Sequence, residues 1–148
     1  MSELAANRRA YHDYSILEKF EAGVELFGHE VKAIKSGRVN IAGGHVAIRK
    51  GEAWLVGADI PPYQPKNILI AYEPQRDRKL LLNKKEIDEL AGRIREKGLT
   101  VVPLKLYTTA GKRATIKLEI GLVRSKKEFD KRELIKKREV ERNIRREI

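Results

Sequence analysis

The chain has 148 residues, 41% apolar and 36% charged, and Lys and Arg outnumber Asp and Glu by 11. That length suits one domain with a core of its own plus an appendage. The lack of cysteine excludes disulfides, thiolate metal sites and cysteine nucleophiles.

No apolar run is long enough for a transmembrane helix and no signal-peptide pattern opens the chain, so a cytoplasmic protein is the expectation. With a pI near 9.9, the chain calls for a polyanionic partner: nucleic acid first, a membrane surface second. Each phosphate neutralised by Lys or Arg releases counterions.

In chain order, Met1–Ala6 reads as disordered or lightly helical, and Asn7–Tyr14 as polar, basic and aromatic without strand character. Alternation from Phe20 to Leu26 predicts a strand with one buried face within Tyr14–Leu26. A short helix is expected over Glu30–Lys35. Val31 and Ile34 form its buried side, Glu30, Lys32 and Lys35 face outward or a ligand, and Ser36-Gly37 closes it. After a loop at Ile41–Gly44, His45–Arg49 and Ala53–Val56 predict a hairpin across the three residues Lys50-Gly51-Glu52, as a type I turn with a glycine bulge. Pro61–Pro65 reads as a rigid surface loop and Ile68–Tyr72 as a short strand.

Asn83-Lys84-Lys85-Glu86 has capping-box spacing. The helix it opens carries Ile87, Leu90, Ala91 and Ile94 on one face, with Gly98 as its stop. Thr100–Thr108 alternates through Val102, Leu104 and Leu106; Ala114–Val123 alternates through Ile116, Leu118, Ile120 and Leu122. Thr109–Arg113 joins them as a basic hairpin loop. The pattern predicts a mainly β protein: a small antiparallel barrel of about six strands with two or three flanking helices. The domain is expected over residues 1–123, followed by a basic tail over 124–148.

That tail holds eleven Lys/Arg against six Asp/Glu and has no Gly or Pro. As a helix from Asp130 it aligns Leu134, Val140, Ile144 and Ile148 on one side. Four apolar contacts in nineteen residues do not offset about 1–2 kcal/mol per ordered residue. The tail is therefore expected to be disordered when free and to fold on a partner.

None of the glycine-, serine- or histidine-based catalytic patterns occurs. His12, His29 and His45 make no metal-ligand motif; a pair of them serving acid–base cleavage of RNA is the one enzymatic alternative. No cofactor or metal is called for. Basic clusters recur at Arg8-Arg9, Lys32/Lys35/Arg38, Arg76/Arg78/Lys79, Lys112-Arg113 and Lys126-Lys127. Tyr11, His12 and Tyr14 stand beside the first cluster. Trp54 and the phenylalanines are assigned to the core. These features predict RNA binding through backbone and shape rather than base reading.

Several blocks together carry a family resemblance: Asn7-Arg8-Arg9-Ala10-Tyr11-His12-Asp13-Tyr14, Phe20-Glu21-Ala22-Gly23-Val24 and Gly28-His29-Glu30-Val31-Lys32. Further blocks are Gly51-Glu52-Ala53, Arg78-Lys79-Leu80-Leu81-Leu82 and Val102-Pro103-Leu104, with Asp130-Lys131-Arg132-Glu133 following Lys126-Lys127. In order and spacing the chain from about Ala6 onward resembles the small protein B (SmpB) family, the SsrA-binding proteins. The resemblance implies an oligonucleotide-binding-like (OB-fold) barrel holding the tRNA-like domain of transfer-messenger RNA (tmRNA). It implies delivery of that RNA to stalled ribosomes in trans-translation, a ribosome-rescue role without catalysis. A generic ribosome-associated RNA-binding protein is the other reading.

Matching motifs carry over Asn7, His12, Glu30, Lys32, Lys35 and Asn40 as RNA-binding candidates, joined by Arg8, Arg78, Lys79, Lys112 and Arg113 of the basic clusters. Glu30 is open to three readings: accepting hydrogen bonds from base or ribose, fixing a neighbouring lysine, or serving as a first-turn acid of its helix. In the tail, Lys126, Lys127, Phe129, Asp130, Lys131 and Arg132 are the ribosome-binding candidates. They would meet small-subunit RNA at the decoding site and message channel, with the protein a monomer in the complex.

Overall fold

The structure, a computed structural model, describes residues 2–63, 71–110 and 115–126. Alternation in the C-terminal apolar runs becomes the centre of one antiparallel sheet. In chain order the elements are β1 (Ser2–Ala6), α1 (Arg8–Asp13), β2 (Tyr14–Val24), α2 (Gly28–Lys35), β3 (His45–Arg49), β4 (Glu52–Val56), β5 (Arg78–Leu81), α3 (Lys84–Ile94), β6 (Leu99–Thr108) and β7 (Ile116–Ser125). Strand order is β1-β6-β7-β2-β5-β4-β3. The mainly β class with three helices is as predicted. The strands number seven rather than about six, and the barrel is an open, curled sheet whose edges are β1 and β3. β7 runs through Ser125, two residues past the expected domain end.

Curling brings the β3 end of the sheet against β6. A Cβ added at Gly44 would stand 3.2 Å from the Pro103 side chain. Inside the curl lies the main core, with Phe20, Ala22, Leu55, Leu80, Val101, Leu118, Ile120 and Leu122 from the strands, Ala33 and Ile34 from α2 and Leu90 from α3. A smaller cluster lies outside it, where Ala10 of α1 packs on Val102, Leu104 and Val123.

The stretch read as disordered or helical at the N-terminus is β1, paired with β6 from Ser2↔Thr108 to Ala6↔Lys105. Leu4 and Ala5 pack on the core, and sheet pairing overrides the helical preference of Glu, Leu and Ala. Val102, Leu104 and Leu106 do not share a face. A bulge between Pro103 and Lys105 inserts one residue and reverses the parity, so Val101 and Leu106 join the main core while Val102 and Leu104 face α1.

The β3–β4 connection is a two-residue turn, since Arg49 pairs with Glu52. Lys50 at φ +50° and Gly51 at φ +75° are the signature of type I′. α3 carries the predicted capping box, with Asn83 Oδ1 accepting from the Glu86 amide at 2.8 Å. The helix ends at Ile94 with Arg95 as its C-cap, however, and Gly98 (φ +83°) sits in the following turn. Of the strand predicted over Ile68–Tyr72, only Ala71 and Tyr72 are described, and neither is in a strand.

Candidate nucleic-acid interface

α1 is held as a scaffold by one buried amide. Asn7 is 2% exposed. Its Oδ1 accepts from the Ala10 amide at 3.1 Å and its Nδ2 donates to the Pro103 carbonyl at 2.8 Å. One side chain thus caps the helix and ties it to β6. Arg8, Arg9 and His12 are left facing solvent. Asp13 takes hydrogen bonds from Arg9 at 3.4 Å and with His12 at 3.0 Å. Beside α1 opens a polar cavity of about 290 Å³, lined among others by Arg9, Asp13, Tyr14, Gly43, His45 and Thr100.

The opposite end of β2 uses its charges differently. Glu30 and Arg78 are both 0% exposed, so the expectation that Glu30 faces outward fails. Both Nε and Nη2 of Arg78 donate to Glu30 Oε2, at 2.9 and 2.6 Å, and Arg76 donates to both carboxylate oxygens. The Phe27 amide donates to Oε1 at 2.7 Å. The Tyr72 hydroxyl reaches Oε2 at 3.0 Å and the Ile60 carbonyl at 2.8 Å. Arg78 also donates to the carbonyls of Ala58, Pro74 and Arg76.

Burial alone would raise the Glu30 pKa. The hydrogen bonds from Arg76, Phe27 and Arg78 outweigh it and hold the carboxyl down at about 2. Each carboxylate oxygen of Glu30 and each guanidinium nitrogen of Arg78 has at least one hydrogen-bond partner, which is what makes a buried pair tolerable. The network ties Ala58, Ile60, Tyr72, Pro74, Arg76 and Arg78 to Glu30 of α2. Two of the three readings of Glu30 hold together: it is the first-turn acid of α2, accepting from the Phe27 amide, and it fixes neighbouring cations, arginines in place of a lysine.

The remaining candidates are dispersed. Lys32 and Lys35 are exposed on the outer stripe of α2. Asn40 forms a two-way backbone bridge with Asp59 and caps the turn at Ala42 through its side chain at 2.9 Å. Lys79 lies outward on β5, 3.4 Å from Glu52. Lys126 is exposed just beyond β7. Lys112, Arg113, Lys127, Phe129, Asp130, Lys131 and Arg132 lie outside the described residues.

Side by side, Arg8, Arg9 and His12 form one surface on α1, whereas Asn7, Glu30 and Arg78 are framework. His12 is on α1, His29 on α2 and His45 on β3; the first pairs with Asp13 and the second packs edge-on against Tyr72 at 4.5 Å. Among the described residues no group of three or more His, Asp or Glu could hold a metal ion. None of their helices is long and apolar enough to cross a membrane.

Two aromatics expected in the core are elsewhere. Phe27 is 52% exposed with the Arg76 guanidinium 4.0 Å from its ring centroid. Trp54 belongs to neither core cluster. Its neighbours Ala53 and Leu55 take the inward positions of β4, a parity readable in the sequence GEAWLVG once β4 is assigned.

The SmpB protein family model matches residues 4–148. The chain belongs to the SmpB family. An SsrA-binding protein of Gloeothece citriformis is 49% identical over 140 residues, 95% of this chain and 88% of that protein. One from Carboxydothermus hydrogenoformans is 51% identical over 141 residues, 95% and 92% of the two chains. Among solved structures, a chain from "tmRNA-SmpB: a journey to the center of the bacterial ribosome" superposes with a TM-score of 0.68 at 43% identity. The match covers 84% of this chain and 85% of that one.

Proposed function

We propose that this protein binds the tRNA-like domain of transfer-messenger RNA and delivers it to stalled ribosomes in trans-translation, acting in the cytoplasm by binding rather than by catalysis. One observation carries the reading: sequence and fold both match SsrA-binding proteins across nearly the whole chain. The exposed cations of α1 on a rigidly capped scaffold support it, since phosphate contacts position a folded RNA without reading its sequence. Asn7, Glu30 and Arg78 then act from inside, by holding α1 and α2 in place for the exposed Arg8, His12, Lys32, Lys35, Asn40 and Lys79. The segment beyond β7, residues 126–148, is the part assigned to the message channel, ordering as a helix there.

The test is affinity for a tRNA-like RNA against single-stranded and duplex controls over a salt series. The tRNA-like RNA is expected to bind tightest, with a log–log salt slope steepened by about 0.7–0.9 per phosphate contact; equal affinity for all three overturns the reading. Deleting the chain after Asp130 is expected to leave that binding intact and abolish tagging of nascent chains on stalled ribosomes. Normal tagging by the truncated protein would refute the division of labour.

A further inference from the structure

Val46 on β3, Ala53 and Leu55 on β4 and Leu80 on β5 are buried in the core. Their alternates, His45, Ala47 and Arg49, then Trp54 and Val56, then Lys79 and Leu81, therefore stand on the outward side of the three strands. Among the described residues no helix covers this side: Ala10 of α1 packs over β6 and β7, and Ala33, Ile34 and Leu90 of the other two helices face the core. Trp54 pairs in register with Lys79 on one side and Ala47 on the other. Leu81, 51% exposed, lies one outward step from Lys79.

Two further observations give this face an occupant. His45 begins the outward row of β3 and also lines the cavity beside α1, so the cavity and the row are continuous over about 13 Å of strand. Among the described residues the cations flanking the indole are engaged in solvent-accessible pairs, Lys79 with Glu52 at 3.4 Å and Arg49 with Asp77 at 2.7 Å. Pairs of this kind are weak and exchange readily for phosphate.

We infer that the outward face of β3, β4 and β5 is a stacking platform for an unpaired stretch of RNA that leaves the α1 cavity and crosses Trp54, with Lys79 and Arg49 on its phosphates. Unpaired RNA suits the face better than a protein does. An indole between cations matches a base between phosphates, any base offers a π-face, and the chain's net charge of +11 draws a polyanion. The route from the cavity rests on the RNA-binding role proposed above; stacking on Trp54 does not.

Trp54 is the chain's one tryptophan, so its fluorescence reports this face alone. Titrating the full-length protein with ten-nucleotide oligoadenylate or oligouridylate is expected to quench it saturably. By anisotropy of a labelled oligonucleotide, Trp54→Ala is expected to weaken binding roughly tenfold or more. Trp54→Phe, which keeps a π-face, stays within about threefold of the parent. Lys79→Glu, which leaves the ring untouched, loses affinity in the same direction. Neither Trp54 variant is expected to change affinity for a folded tRNA-like RNA without a single-stranded extension.

Absence of quenching, or equal oligonucleotide binding by Trp54→Ala and the parent, overturns the inference. A blue shift that follows protein concentration without RNA also overturns it, by assigning the face to a second copy of the chain. If oligonucleotides quench Trp54 while the tRNA-like RNA is not bound, the platform stands and the proposed function falls.

Discussion

The two ends of β2 hold charge in opposite ways. Before Tyr14, the arginines of α1 point into solvent and one buried neutral amide, Asn7, fixes the helix that displays them. After Val24, a carboxylate and a guanidinium are fully buried and saturate each other, and a second guanidinium closes the group. Arginine is thus a ligand-facing group at one end and a bracket at the other. The difference lies in what stands across from it: at Arg78 a carboxylate 48 positions earlier in sequence, at the exposed Arg8 no carboxylate among the described residues. Residue type sets the charge; long-range partners decide its use.

Glu30→Gln tests the bracket most severely. It leaves Arg78 charged in the interior, and an expected loss of about 3–5 kcal/mol is measurable by urea denaturation. Binding per folded molecule should fall far less than stability. An equal fall in both would erase the distinction between the two ends.

Acid sharpens the same point. Because folding depresses the Glu30 pKa from 4.5 to about 2, its contribution is complete above about pH 4.5 and is lost as pH falls toward 2. The gap in melting temperature between the parent and Glu30→Gln should therefore be constant near neutrality and close progressively below pH 4.5. A gap independent of pH would mean that the carboxylate charge is not what stabilises.

At the other end, Asn7→Ala removes both a cap and a buried hydrogen bond, with an expected cost of about 1–2 kcal/mol and weaker RNA binding as α1 frays. Arg8→Ala should leave stability within about 0.5 kcal/mol yet weaken RNA binding and reduce the salt slope by nearly one. Loss of stability on removing Arg8 would make α1 a second bracket. The smallest effect is outside both ends: Lys50→Asn relieves a positive φ in the β3–β4 turn and is expected to stabilise by about 0.5–1 kcal/mol.

Local signals carried much of this. The α3 capping box, the β7 alternation and the β3–β4 hairpin are short-range patterns, and all three form. Failures came where a distant partner decides. Ser2–Ala6 becomes a strand only because β6 lies beside it. The faces of β6 reverse at a bulge that no spacing in Val102-Pro103-Leu104-Lys105 announces. Glu30 and Arg78 read as surface charges because nothing local records their pairing. The motif makes Asn7 an RNA-binding candidate, and nothing local announces that it also caps α1 and ties it to β6.

The β2–β5 ladder has two residue pairs, Gly23↔Leu81 and Val24↔Leu80, continued by the Glu25 amide donating to the Lys79 carbonyl at 3.0 Å. At that seam Leu81 lies directly on Gly23, and a Cβ there would come within 3.1 Å of the leucine Cβ. Leu81 is half solvent-exposed, yet it is the stopper of the narrowest join in the sheet. A side chain at position 23 therefore requires Leu81 to give way by a few tenths of an ångström, along the line where β1-β6-β7-β2 meets β5-β4-β3.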